Sequence, residues 1–282
     1  VIGLSLGEPD FNTPDFIKKS AIKAINDNYN SYSPVDGYLD LKKSICKKFK
    51  RDNDIDYNES QIVVSTGAKQ SIANVCMSIL NPGDEVLIPN PGYPTYLAVT
   101  KLVEAKPRFY NLSQENNWFP DIEELEKSNL SKVRIMWINY PHMPTGASAS
   151  IKQFEQLINF AKKNNILIIN DNPYSFILND NHTSLLSIAN SKEVAMELNS
   201  LSKSFNMSGW RVGMLLGSLE NISRVLKVKS NMDSGMFYGI QKGAIAALNL
   251  DKSWFDKLNI IYTKRRELIW EIADVLNCTY DK

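Results

Sequence analysis

The chain has 282 residues, 43% of them hydrophobic and 22% charged, with 13 Gly, 12 Pro and 3 Cys, a composition that excludes disordered, collagen-like and disulfide-stapled proteins. Lys and Arg number 32 against 31 Asp and Glu, for a net charge of +1, so there is no sequence-wide electrostatic footprint for nucleic acid or an anionic membrane. Cys46, Cys76 and Cys278 are widely separated without CxxC spacing, which fits reduced thiols in a cytoplasmic protein and argues against structural metal.

Short apolar runs bounded by turn residues occupy 61–65, 85–89, 108–112, 133–139, 166–171, 194–200 and 212–217. Most are continuous rather than alternating, as strands buried on both faces are. Helical patterns intervene, for example at 69–80 and 151–164, the second starting from a Ser-rich cap and burying Phe154, Leu157, Ile158 and Ala161. The alternation predicts an α/β fold with a mostly parallel, seven-stranded sheet covered by helices on both faces. No apolar run approaches the roughly 18 residues of a membrane span.

Residues 252–276 make a longer helical pattern, in which Trp254, Leu258, Ile261, Arg265, Leu268, Ile272 and Val275 step along one face. It reads as a connector into a second, smaller domain. No strand follows to complete that unit, so the chain reads as a fragment. It opens on Val1, so a targeting peptide is neither visible nor excluded.

In open α/β sheets ligands bind beyond the carboxyl ends of the strands, which directs attention to the residues just after each run. The first run ends in Ser65-Thr66-Gly67-Ala68-Lys69-Gln70 and opens a helix, offering free backbone N–H groups to a phosphate. No Walker motif is present, and an ordinary strand-turn-helix connection is the alternative. The run 166–169 leads into Asn170-Asp171-Asn172-Pro173-Tyr174, placing a carboxylate where it loses hydration and needs a cationic or donating partner. A helix cap or turn Asp is the competing reading. Ser200-Leu201-Ser202-Lys203-Ser204 precedes Gly209-Trp210-Arg211-Val212-Gly213. A lysine there is either a solvated ammonium or, beside the Arg211 cation, an amine that loses its proton readily and attacks a carbonyl. A phosphate cradle, a carboxylate, a phenol, a lysine and an arginine after separate strands together match what pyridoxal phosphate requires.

From Gly7-Glu8-Pro9-Asp10 to the long helix, the sequence resembles the fold-type I, class I/II aminotransferases, in the branch with LL-diaminopimelate and aspartate-type enzymes. The resemblance rests most firmly on Ser200-Leu201-Ser202-Lys203 followed by Met207, Gly209, Arg211 and Gly213. It implies that Lys203 carries pyridoxal 5'-phosphate as an internal aldimine, with Ser200, Arg211 and the Gly67-Ala68-Lys69 turn around the phosphate. It further implies that Asp171 pairs with the pyridine nitrogen, that Tyr174 bonds the ring oxygen, and that Tyr93 stacks on the ring. Tyr32 is similar to a tyrosine that reaches the neighbouring subunit's phosphate, implying a homodimer with a shared site, and Gly7 resembles a glycine that faces the substrate carboxylate.

The implied organisation is an N-terminal arm or part of the small domain at 1–12, a large cofactor-binding domain at 13–250 and, at 251–282, a connector and the start of a small α+β domain only partly present. One departure stands out. Met143 occupies the place of an asparagine expected before Pro144-Thr145-Gly146, and a thioether donates no hydrogen bond. Losing a charge-assisted bond there costs about 1.5–3 kcal/mol unless a neighbour such as Asn139 or a water substitutes. Adjacent His142 reads as a solvent-exposed loop histidine. The arginine expected to grip the substrate carboxylate has no counterpart in this chain, and no metal site is expected.

The implied activity is ping-pong transfer of an amino group between an amino acid and a 2-oxo acid. The alternatives are a carbon–sulfur β-lyase on the same scaffold and a regulatory module that binds the cofactor without turnover. Neither nucleic acid nor membrane is expected as a partner.

Overall fold

The structure, a computed structural model, describes residues 7–280. Residues 1–6 of the expected arm and 281–282 of the expected connector segment lie outside the described residues. The chain opens with α1 (Asp15–Asn26) and α2 (Leu39–Asn53), then alternates β1 (Ile62–Ser65), α3 (Ala68–Ile79), β2 (Glu85–Asn90), α4 (Pro94–Leu102) and β3 (Lys106–Asn111). After α5 (Ile122–Glu126) come β4 (Val133–Ile138), α6 (Ile151–Asn164), β5 (Leu167–Asp171), α7 (Ser191–Val194), β6 (Ala195–Ser200) and β7 (Gly213–Leu216). Helices α8 (Leu219–Met232), α9 (Tyr238–Leu248) and α10 (Lys252–Val275) follow.

The seven strands form one sheet in the order β1-β7-β6-β5-β4-β2-β3. Strands β3, β2, β4, β5 and β6 pair in parallel, while β7 runs antiparallel to both β6 and β1. Alternate residues of each strand enter different cores. Ile168 faces the core built with α1, α2, α6 and α9, whereas Ile169 faces Val75 of α3, Tyr96 of α4 and Val225 of α8. Burial on both faces explains the continuous apolar runs. Strand β3 departs from that pattern because it is an edge with one neighbour, and it carries Lys106 and Arg108 beside exposed Phe109.

Helix α6 has the bounds its sequence predicts, because Ser150 and Gln153 form a reciprocal cap: Gln153 N donates to Ser150 Oγ at 3.3 Å and Ser150 N to Gln153 Oε1 at 2.8 Å. Helix α10 behaves differently from its apolar pattern. Phe255 and Leu258 are buried against the sheet-bearing body, but Leu268, Ile269, Ile272 and Val275 are exposed. No helix among the described residues is long and apolar enough to cross a membrane.

Candidate active site

Ser65, Gly213 and Ser200 lie side by side in register at the ends of β1, β7 and β6. This single sheet edge therefore joins the turn that opens α3 to the loop carrying Lys203. Gly67 adopts φ +77, a conformation that disfavours side chains, and an added Cβ would stand 2.3 Å from Arg211 Nη2. A Cβ on Gly213 would stand 2.7 Å from the Gly67 carbonyl carbon and 2.9 Å from Ala68 N. The two glycines thus let the Arg211 guanidinium lie against the first turn of α3, whose N–H groups and positive dipole end favour an anion. Arg211, itself at φ +54, is held by a 2.7 Å bond from Nη1 to the Ser208 carbonyl. Ser200 Oγ donates to Ser202 Oγ at 2.9 Å and accepts from Ser202 N at 3.0 Å, fixing the start of the lysine loop.

Lys203 is half-buried, and its Nζ donates to the Gly7 carbonyl. Its pKa is lowered, chiefly by desolvation and further by the Arg211 charge, with Glu8 opposing. Thr13 packs against this loop, donating to the Asn206 carbonyl at 2.6 Å and accepting from Trp210 Nε1 at 3.2 Å.

Asp171 ends β5 and is buried, 5% exposed. Its Oδ2 accepts from Tyr96 Oη at 2.8 Å, while Oδ1 has no hydrogen-bond partner among the described residues. Burial pushes its pKa up to about 6, with the Tyr96 bond acting in the opposite direction. Tyr96 had no role in the sequence reading. It stacks on Trp137 at 4.9 Å, and Tyr93 meets its edge at 5.6 Å. Pro94 at the first position of α4 was the available clue, since it starts a helix that places Tyr96 one turn in. Lys69 Nζ lies 5.8 Å from the Tyr93 ring centre, joining the α3 turn to this aromatic group. Tyr174 is partly buried; its pKa is raised by desolvation first and then by the charges of Asp171 and Tyr93.

Asn139 is committed within the protein, donating through Nδ2 to the Asp171 carbonyl and accepting from Met143 N at 2.8 Å. It holds the Met143 loop against the end of β5. The expectation for His142 is corrected. The ring is 3% exposed, because the loop folds back so that His142 N donates to the Ala147 carbonyl at 2.7 Å and Nδ1 meets Thr145 Oγ1 at 2.8 Å. Desolvation lowers its pKa, opposed by a backbone contact with Pro91.

A cavity of about 1170 Å³ opens beside Met143, His142 and Tyr174, with Arg266 and Trp270 of α10 on its far side. Tyr32 is 88% exposed, three residues before Val35, whose carbonyl accepts from Lys229 Nζ at 2.6 Å. Among the described residues no group of three or more His, Cys, Asp or Glu could hold a metal.

These residues fit pyridoxal phosphate on structural grounds. The partnerless Asp171 oxygen suits a protonated ring nitrogen, and the glycine-lined contact of Arg211 with the α3 turn suits a phosphate. Comparison with known proteins agrees. The chain is 36% identical over 278 residues to an LL-diaminopimelate aminotransferase of Aquifex aeolicus, covering 97% of this chain and 72% of that protein. It superposes with a TM-score of 0.94 on substrate-bound BacF of Bacillus subtilis, at 34% identity, covering 97% of this chain and 70% of that one. An aminotransferase of Staphylococcus aureus gives a TM-score of 0.93 at 30% identity, over 98% and 74% of the two chains. These names favour transamination over the β-lyase and regulatory readings. Residues 1–277 match the aminotransferase class I and II family, and the chain belongs to that family as a pyridoxal-phosphate-dependent aminotransferase acting on amino acids and 2-oxo acids.

Proposed function

We propose that Lys203 carries the cofactor and moves the substrate proton, with Asp171 and Tyr174 as its catalytic partners. The observation that carries this reading is the buried Asp171 Oδ1 without a protein partner, on the sheet edge that also bears an amine of lowered pKa. When bound, pyridoxal phosphate supplies an electron-withdrawing ring that stabilises negative charge developing at the substrate α-carbon.

Each protein group has a definite task. Asp171 holds a proton on the ring nitrogen, and Tyr96 Oη fixes the carboxylate through its other oxygen. Tyr174 donates from Oη to the ring oxygen, the more so because Met143 contributes no side-chain donor and Asn139 is tied to the backbone. Tyr93 covers a ring face. Gly67, Ala68, Lys69, Ser200 and Arg211 surround the phosphate and fix the orientation of the whole group. Lys203 Nζ, once the substrate amine has taken its place on the cofactor, would be a free amine drawn toward its neutral form by burial and able to take the proton from the substrate α-carbon. Gly7, whose carbonyl meets Lys203, lies where the substrate carboxylate enters.

The exposure of Tyr32 supports a homodimer in which this residue reaches the partner's phosphate site. The three free thiols, Cys46, Cys76 and Cys278, support a cytoplasmic setting. The exposed apolar residues of α10 support a boundary near residue 250, with 13–250 as the cofactor-binding unit and the segment from 251 as the connector to a small domain. The names of the relatives make LL-diaminopimelate the first donor to assay.

The test is a pair of half-reactions. The amino acid alone should convert the bound cofactor to its amine form once, and an added 2-oxo acid should recover the amino group and restore the spectrum. Continuous release of ammonia and pyruvate from cystathionine without any 2-oxo acid would contradict the proposal.

A further inference from the structure

Glu197 is a fully buried carboxylate in the middle of β6, where the neighbouring residues Ala195, Met196 and Leu198 are apolar. Five donors converge on it. Oε2 accepts from Ser184 Oγ at 2.9 Å, Leu185 N at 2.9 Å and Asn170 Nδ2 at 3.3 Å. Oε1 accepts from Asn172 Nδ2 at 3.2 Å and Asn199 Nδ2 at 3.1 Å. Burial raises its pKa, while the bonds from Ser184, Leu185, Asn170 and Asn172 oppose that rise. The donors that face it are arranged so that both oxygens serve as acceptors.

The placement of the donors gives this network a consequence for the site. Asn170 is the register partner of Glu197 across the β5–β6 pair, so the two share one face of the sheet. Asn170 and Asn172 flank Asp171, whose side chain consequently points to the opposite face, where Tyr96 meets it. Asn170 Oδ1 also accepts from Tyr140 N at 3.0 Å, in the loop that continues to Met143. Asn199 immediately precedes Ser200 and the lysine loop. Ser175 Oγ donates to Asn172 Oδ1 at 2.6 Å, fixing which end of that amide faces Glu197.

We infer that Glu197 is a positioning residue that sets Asp171 relative to the Lys203 loop by tying together the exits of β4, β5 and β6. The inference rests on the proposed roles of Asp171 and Lys203. It is separable from them, because those roles are tested by modifying Lys203 and Asp171 themselves.

The experiment compares holoenzyme carrying Glu197→Gln with wild type and with Glu197→Asp. Glutamine keeps the size but turns an acceptor into an NH₂ that meets asparagine NH₂ groups. Displacing Asp171 from the ring nitrogen should lower kcat at least tenfold with less than a threefold change in KM. It should also shift the pH midpoint of the bound cofactor's visible absorption by at least half a pH unit, an outcome that loss of stability alone does not produce. Glu197→Asp, which retains the charge, should recover part of both effects. Should Glu197→Gln fail to fold, Asn172→Ala removes a single bond of the network and should show the same pair of changes, about threefold in kcat. A folded Glu197→Gln protein with unchanged kcat and absorption midpoint overturns the inference, as does lowered thermal stability as its sole effect. If Asn172→Ala must stand in, an unchanged kcat and midpoint in that variant overturns it equally.

Discussion

Asp171 and Glu197 are both carboxylates buried at the same sheet, on adjacent parallel strands, yet their surroundings differ sharply. Glu197 accepts five hydrogen bonds. Asp171 accepts one at its carboxylate and leaves Oδ1 without a partner among the described residues. An unpaired buried anion is costly, and its pKa is pushed up to about 6 in consequence. The comparison separates a carboxylate whose acceptor sites the protein fills from one with a site left open. Saturation with protein donors marks the first and an open oxygen marks the second.

The comparison can be broken or sharpened by substitution. The largest effect is expected at Lys203→Ala, which should lower kcat on the order of 10³-fold or more while the protein still binds the cofactor. Equilibrium dialysis against single-turnover and steady-state rates checks this, and normal multiple turnover would contradict it. Asp171→Ala should retain the cofactor but lose on the order of 10²–10³ in kcat; unchanged turnover would remove the electron-sink role. Tyr96→Phe deletes the partner of Asp171 Oδ2, and denaturant unfolding of the cofactor-free protein should report a loss of about 1–3 kcal/mol. Because the Tyr96 bond lowers the Asp171 pKa, the titration of Asp171 in the cofactor-free variant should move to higher pH.

A fourth effect concerns pH and the cofactor-free protein. Asp171 has an ordinary pKa of 3.8 and a folded value of about 6, so between these the folded state holds a proton that the unfolded chain has released. Stability contributed by this group therefore falls as pH rises through that window, by on the order of 2–3 kcal/mol. Asp171→Asn should abolish that decline. Parallel stability profiles for the variant and wild type from acid to neutral pH would show that the carboxyl titrates normally.

The sequence made the sheet legible because its strands are buried on both faces, so their apolar runs stand out, and the boundaries shift by no more than two residues or so. Lys203, Arg211 and the Gly67 turn stand out as candidates for a different reason: each follows or precedes a strand end at the edge where open α/β sheets bind ligands. Tyr96 was not, because a tyrosine at helix spacing looks the same whether it packs in a core or holds a carboxylate. Glu197 left a clear mark, a lone acid inside an apolar strand, but the donors that explain it come from residues 170, 172, 184, 185 and 199 and meet only in the fold. His142 is buried although a short polar loop containing two prolines reads as solvent-facing. Its backbone closes onto Ala147 and Gly146, which takes the ring out of water. The exposed end of α10 shows the limit of periodicity: it locates an apolar stripe without saying what meets it.

The central claim is that one amine, on the loop after β6, carries the cofactor. Purified holoenzyme should be reduced with borohydride, digested, and the peptide bearing the cofactor identified by mass spectrometry. The account predicts stoichiometric modification of Lys203 with the disappearance of the visible band. Modification of Lys69 or any other lysine, with Lys203 unmodified, would contradict it.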